Sequence, residues 1–157
     1  MTKTRQPLRR AWRAIATAVP LALLSVPALA GPDAASPVGL WRTFDDKTGH
    51  ERGLVRIWVQ DGSLYGSIVS TVDPAEGKRT CDKCRDDRHG KPIIGLNIIR
   101  GLKQDGDRWA GGEILDPENG QTYRCAMRLD DGGRKLIVRG YIGLSLFGRS
   151  QEWLRAQ

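Results

Sequence analysis

Residues 38 to 155 predict an all-β fold of about eight antiparallel strands closed into an up-and-down barrel. Three observations carry this. Short runs rich in β-branched and aromatic residues recur between Gly, Asn and Asp turn signals. Within several runs apolar and polar residues alternate, so that one side faces a core and the other faces water. After the first thirty residues no helical period of any length appears, whereas a parallel sheet needs a crossover helix between its strands. An antiparallel meander of this length leaves no edge unpaired only when it closes on itself.

Val38 to Phe44 is the first strand. After turn material from Asp45 to Gly53, Leu54 to Gln60 sets Val55, Ile57 and Val59 on one face. Asp61-Gly62 is a tight hairpin signal into Ser63 to Thr71. Residues 72 to 92 break the rhythm, with 11 of 21 positions charged and Pro74, Gly77, Gly90 and Pro92 as breakers. An excursion of this length is expected to be either functional or mobile. Ile93 to Leu102 suits a buried helical turn or a strand, and we place a strand from about Asn97 to Lys103.

Asp105-Gly106 then turns into Arg108 to Leu115, and Asp116 to Gly120 turns into Gln121 to Asp130. In the latter, Tyr123, Cys125, Met127 and Leu129 alternate with Thr122, Arg124, Ala126 and Arg128. Asp131-Gly132-Gly133 leads to Lys135 to Ile142, and Gly148 to Arg155 is the last strand. Turn chemistry accounts for Asp61, Asp105, Asp116 and Asp130. A bulge or bend accounts for Gly111-Gly112 better than a phosphate site, because no helix follows to offer its N-terminus.

Residues 1–30 read as a cleaved signal peptide. Lys3, Arg5, Arg9, Arg10 and Arg13 form a basic n-region, Ala14 to Val26 is an apolar stretch too short to span a bilayer, and Ala28-Leu29-Ala30 fits a small-x-small cleavage rule. The expected product is a single domain over residues 31–157, periplasmic or secreted, with no transmembrane segment. Five of the 25 lysines and arginines but none of the 18 acids lie in the leader, so cleavage lowers the formal charge from +7 to +2. A nucleic-acid partner is excluded on that ground, since the basic excess is mostly the export signal.

Cys81-Asp82-Lys83-Cys84 is the sharpest local motif. It can form a disulfide that pins the 72–92 loop, act in thiol exchange, or supply half of a metal site with His89 and Cys125. An oxidising compartment favours the disulfide between Cys81 and Cys84. Cys125 sits on the apparent core face, and a pairing of it with Cys81 or Cys84 also stays open. His50 and His89 lie in polar loops without a serine in an elbow motif, so no catalytic residue, metal or cofactor is assigned.

The remaining chemistry is aromatic. Trp41, Trp58, Tyr123, Tyr141 and Trp153, with Arg139 and Arg149, form the candidate set for a small hydrophobic or amphiphilic molecule in the barrel, whose lumen is either filled or open. Arg139 lies in an otherwise apolar run and either snorkels outward or waits inside for an anionic head group.

Gly39-Leu40-Trp41, Cys81-Asp82-Lys83-Cys84, Lys91 to Gly95, Gly111 to Pro117, Val138 to Gly143 and Gly148 to Trp153 together resemble the bacterial exported domain of unknown function 2147, in its CxxC-containing subgroup. The resemblance implies an exported small β-barrel and brings no activity. Gly39-Leu40-Trp41 is also similar to the first-strand Gly-x-Trp of lipocalins and other calycins. That similarity implies a late arginine, Arg155 or Arg149, packed over the Trp41 indole. The expected function is a non-catalytic envelope protein that binds a small hydrophobic or amphiphilic molecule. The alternatives are an interaction module that meets an envelope protein partner through residues 72–92, and a metal or thiol site at the CxxC.

Overall fold

Eight strands follow one another around a closed antiparallel barrel, each bonded to its neighbour in sequence and the last to the first. The computed structural model describes residues 35–144, 146 and 148–156, and the expected leader lies outside the described residues. The strands are β1 (Gly39–Phe44), β2 (Glu51–Gln60), β3 (Ser63–Thr71), β4 (Asn97–Asp105), β5 (Arg108–Asp116), β6 (Gln121–Asp130), β7 (Lys135–Tyr141) and β8 (Gly148–Arg155). A four-residue helix α1 (Pro74–Gly77) and a 3-10 turn (Asp131–Gly133) are the helical elements among the described residues. Closure rests on two β1–β8 pairs, Trp41 with Arg155 and Arg42 with Leu154.

Two expectations shift. β2 starts at Glu51 rather than Leu54, because Glu51 crosses to β1 and accepts from the Arg42 guanidinium at 2.8 and 2.9 Å. Val59 does not share the burial of Val55 and Ile57: it is 57% exposed, since β2 there runs past the core into the Asp61-Gly62 turn. The Gly111-Gly112 bulge is present as a register shift in the β5–β6 pairing. A Cβ on Gly112 would stand 2.3 Å from the Arg100 carbonyl oxygen, so only glycine lets β4 and β5 approach there.

The two ends of the barrel differ. At one, Trp41 is fully buried and donates its indole N–H to the Pro37 carbonyl at 2.8 Å. The Arg155 guanidinium lies over that indole, 4.3 Å from the ring centroid, and donates to the carbonyls of Ser36, Val38 and Gly133 at 2.7 to 3.0 Å. A half-buried guanidinium held by three carbonyls, with a π face beneath it, is a firm plug. Of the two arginines that the calycin resemblance allows, Arg155 takes this place. Above the plug, Ile57, Ile99, Leu102, Met127 and Leu136 fill the lower half of the barrel. The other end carries the connections 45–50, 72–96, 117–120 and 142–147, and it is open.

The charged excursion between β3 and β4 is neither loose nor solvated throughout. Cys81 and Cys84 form a disulfide with a Cα–Cα distance of 5.4 Å, and both are buried. Arg88 is also buried: its Nε donates to both Asp86 carboxylate oxygens at 3.0 Å, and its Nη groups reach the Asn97 carbonyl at 3.2 Å, Glu113 at 3.2 Å and the Thr122 hydroxyl at 3.0 Å. Glu113 and Thr122 alternate with the inward-facing Ile114 and Tyr123, so the segment packs on the outer face of β4–β6. A Cβ on Gly120 would stand 1.9 Å from the Lys83 carbonyl oxygen, which locks the β5–β6 turn against the disulfide loop.

Candidate functional site

The upper half of the barrel encloses a cavity of about 820 Å³ that opens between the four mouth connections. Its volume falls within the range of small-molecule sites. The lumen is therefore filled below and open above. Strand alternation turns Ile68 of β3, Ile114 of β5 and Val138 of β7 into it, and Ile98 of β4 joins them at the register shift where Asn97 to Ile99 opposes Gly66 and Ser67. Polar tips are few and mostly satisfied. The Trp153 indole donates to Gln151 at 3.0 Å, and the Tyr123 hydroxyl accepts from the Asn119 amide at 3.1 Å.

Among the lining residues charge lies at the mouth, and its two arginines are paired. Arg52 holds Glu76 of α1 at 3.4 Å and Glu118 of the β5–β6 turn, bridging two loops. Arg149 is paired with Asp46. Asp45 accepts from the backbone N–H groups of Thr48 and Lys47 and from the Thr48 hydroxyl, which hold its carboxyl below the usual range. An entering molecule meets a rim whose two arginines are engaged by acids, and beyond it a chamber of aliphatic and aromatic side chains with hydroxyl and amide groups among them.

Of the seven candidate ligand residues, Tyr123, Tyr141, Arg149 and Trp153 line this cavity. The other three stand elsewhere. Trp41 belongs to the plug below it. Trp58 faces outward, because Ile57 takes the core position, and its ring stacks on Tyr65 with centroids 6.2 Å apart. Arg139 follows the inward Val138 and so turns outward, donating to the Ser150 hydroxyl at 3.0 Å and the Leu146 carbonyl at 3.2 Å. Sequence reasoning missed Asp46, Arg52, Glu76 and Glu118, whose partners are brought together only by closure of the barrel.

A family model for uncharacterized proteins conserved in bacteria, DUF2147, matches residues 39–155. The chain belongs to DUF2147. No curated protein matches it. This DUF2147 barrel is similar to the solved structure of protein HP1028 from the human pathogen Helicobacter pylori, described as belonging to the lipocalin family. The TM-score is 0.66 at 17% identity, covering 76% of this chain and 82% of that one. At that identity the likeness is one of fold.

The cysteines of this DUF2147 member separate into two environments. His89 lies with Nδ1 2.8 Å from the Cys84 carbonyl oxygen, which occupies the imidazole within the disulfide loop. Cys125 is fully buried in the barrel, where desolvation pushes its thiol up to about 12. Such a thiol behaves as a small hydrophobe. Among the described residues no three His, Cys, Asp or Glu side chains converge as a metal site.

Proposed function

We propose that this protein is an exported, periplasmic or secreted, binding barrel that holds a small hydrophobic or amphiphilic molecule in its upper chamber without acting on it chemically. The observation that carries this reading is the 820 Å³ cavity, walled by Ile68, Ile98, Ile114 and Val138 and open to solvent through a charged rim. An apolar tail is taken from water by the chamber, at roughly 25 cal/mol per Å² of surface buried. The polar end of the molecule rests among Tyr123, Tyr141, Gln151 and the rim. The lower half contributes rigidity, because the Trp41–Arg155 plug closes the barrel and stops the ligand from passing through.

The neutral apolar fluorophore N-phenyl-1-naphthylamine tests the chamber directly. It should bind the wild-type protein with enhanced emission, and Ser70→Trp, which places an indole in the chamber, should weaken that binding by about tenfold, the equivalent of roughly 1.4 kcal/mol. Undiminished binding in the variant, or no binding by the wild type, rejects the reading. Native mass spectrometry of protein purified from the export compartment should in parallel find a mass above that of the chain.

A further inference from the structure

Among the described residues, the loop between β7 and β8 is the mouth connection whose exposed side chains are apolar. Ile142, Leu144 and Leu146 are 68%, 72% and 79% exposed, the highest values for large hydrophobic side chains among the described residues. In sequence, Gly140 to Gly148 contains no charge, in a chain that is 27% charged, and an arginine stands at each end, Arg139 and Arg149. Arg139 donates to the Leu146 carbonyl at 3.2 Å, which ties a cation directly to the backbone of the loop. Ile142 and Leu146 also line the cavity. Among the described residues, apolar side chains therefore stand both at the exposed tip of the loop and on the chamber wall.

Three features decide what covers this tip. A second copy is a poor occupant, since a stable dimer buries roughly 800 Å² per partner through about 20 to 30 residues, and three aliphatic side chains on one loop fall far short. Folding inward as a lid would press the tip against Asp45, Asp46, Glu76 and Glu118 across the mouth, where an apolar surface gains nothing. An uncharged apolar segment between two arginines instead matches the boundary of a bilayer. Aliphatic groups enter the acyl region, and the two arginines, engaged by Asp46 and by Ser150 and Leu146, stand at the level of the polar head groups.

We propose that the β7–β8 loop is a membrane-contacting tip that seats the mouth of the barrel on a bilayer through its exposed aliphatic side chains. Resting on the ligand-binding reading above, the seated mouth lets a lipid-like molecule pass between bilayer and chamber without crossing water. Leu144 is the decisive residue, because it is exposed and does not line the cavity.

The test separates the two readings. The exported protein is mixed with vesicles of phosphatidylethanolamine and phosphatidylglycerol, or of phosphatidylcholine alone, and the bound fraction is measured by flotation. Binding is expected to both compositions, because insertion of the aliphatic side chains carries it. Leu144→Glu should reduce it about tenfold and Leu144→Phe should preserve it, while N-phenyl-1-naphthylamine binding stays at the wild-type level in both. No vesicle binding by a wild-type protein that binds the fluorophore overturns the tip and leaves the chamber intact. Vesicle binding that Leu144→Glu does not change overturns it equally. A concentration-dependent dimer, seen by sedimentation and lost in Leu144→Glu, assigns the loop to contact between copies and also overturns the tip. Vesicle binding by a protein that fails to bind the fluorophore supports the tip but rejects the transfer of a ligand through it.

Discussion

Two connections at the mouth reverse the usual relation between composition and burial. The β3–β4 segment is the most charged stretch of the barrel domain, yet it contains a buried disulfide and a buried arginine. The β7–β8 loop carries no charge between Gly140 and Gly148, yet it displays the most exposed aliphatic side chains described. The difference teaches that partners, not polarity alone, decide where a segment goes. Arg88 is tolerated inside because Asp86, Glu113, Thr122 and the Asn97 carbonyl meet its donors. Ile142, Leu144 and Leu146 stay exposed because, among the described residues, no segment packs over them.

The comparison breaks most severely if Arg88 loses its anions. Asp86→Asn with Glu113→Gln would leave a guanidinium that is 1% exposed without a counter-charge. We expect a loss of about 3 kcal/mol in urea unfolding, toward the lower end for an orphaned buried charge because the two carboxylates are 40% and 41% exposed and water can follow. A merely solvated charged loop would lose under about 0.5 kcal/mol. A result in that lower range removes the contrast on which the comparison rests.

Removing the disulfide should cost less. Cys81 and Cys84 are three residues apart, so the crosslink closes a very short ring, worth about 2 kcal/mol in the chain-entropy account. Cys81→Ala with Cys84→Ala should lower the melting temperature while Cys125 remains unreactive toward thiol reagents until the barrel unfolds. Reaction of Cys125 in the folded double variant would mean that the loop also shields the interior.

Acid should act on the same segment in a smaller, graded way. Hydrogen bonds from Arg88 hold the Asp86 carboxyl below its ordinary value, and those from Arg100 do so for Asp87. A carboxyl depressed on folding contributes stability that is complete above its unfolded pKa of about 3.9 and is lost as pH falls through the lower folded value. Amide exchange in residues 72–96 should therefore rise relative to β6 between about pH 4 and pH 2, with no change from pH 5 to pH 8. The β7–β8 loop, without a carboxylate between Gly140 and Gly148, should show no such acid-specific rise.

Much of the barrel was legible because its signals are local. Turn residues and period-two alternation located all eight strands, and Ser63–Thr71, Gln121–Asp130 and Gly148–Arg155 agree at both ends. Tyr123 was legible because it lies in phase with Cys125 and Met127, whereas Tyr141 lines the cavity from the end of β7, two residues after the outward Arg139. The same phase argument excludes Trp58, since Val55 and Ile57 claim the inner face, and Arg139, since Leu136 and Val138 do. Its neighbours therefore held the signal that a general count of aromatics overrode. Arg88 had no such signal. It is one of 11 charges in residues 72 to 92, and its burial depends on Glu113 and Thr122, which are 25 and 34 residues away.

The smallest effect gives the sharpest view of the exposed loop. Leu144→Glu removes an aliphatic side chain that is 72% exposed and does not line the chamber, so the folded barrel loses almost no buried area. Thermal unfolding should shift by no more than the equivalent of about 0.5 kcal/mol, and the added charge should make the protein more soluble rather than less stable. A loss of more than about 1.5 kcal/mol, the scale of an aliphatic side chain leaving a core, would show that Leu144 packs against the protein in solution. The β7–β8 loop would then belong to the barrel core as firmly as Arg88 belongs to its ion cluster. If stability holds while vesicle binding falls, a side chain with no role in the fold is retained at the mouth for what it touches outside.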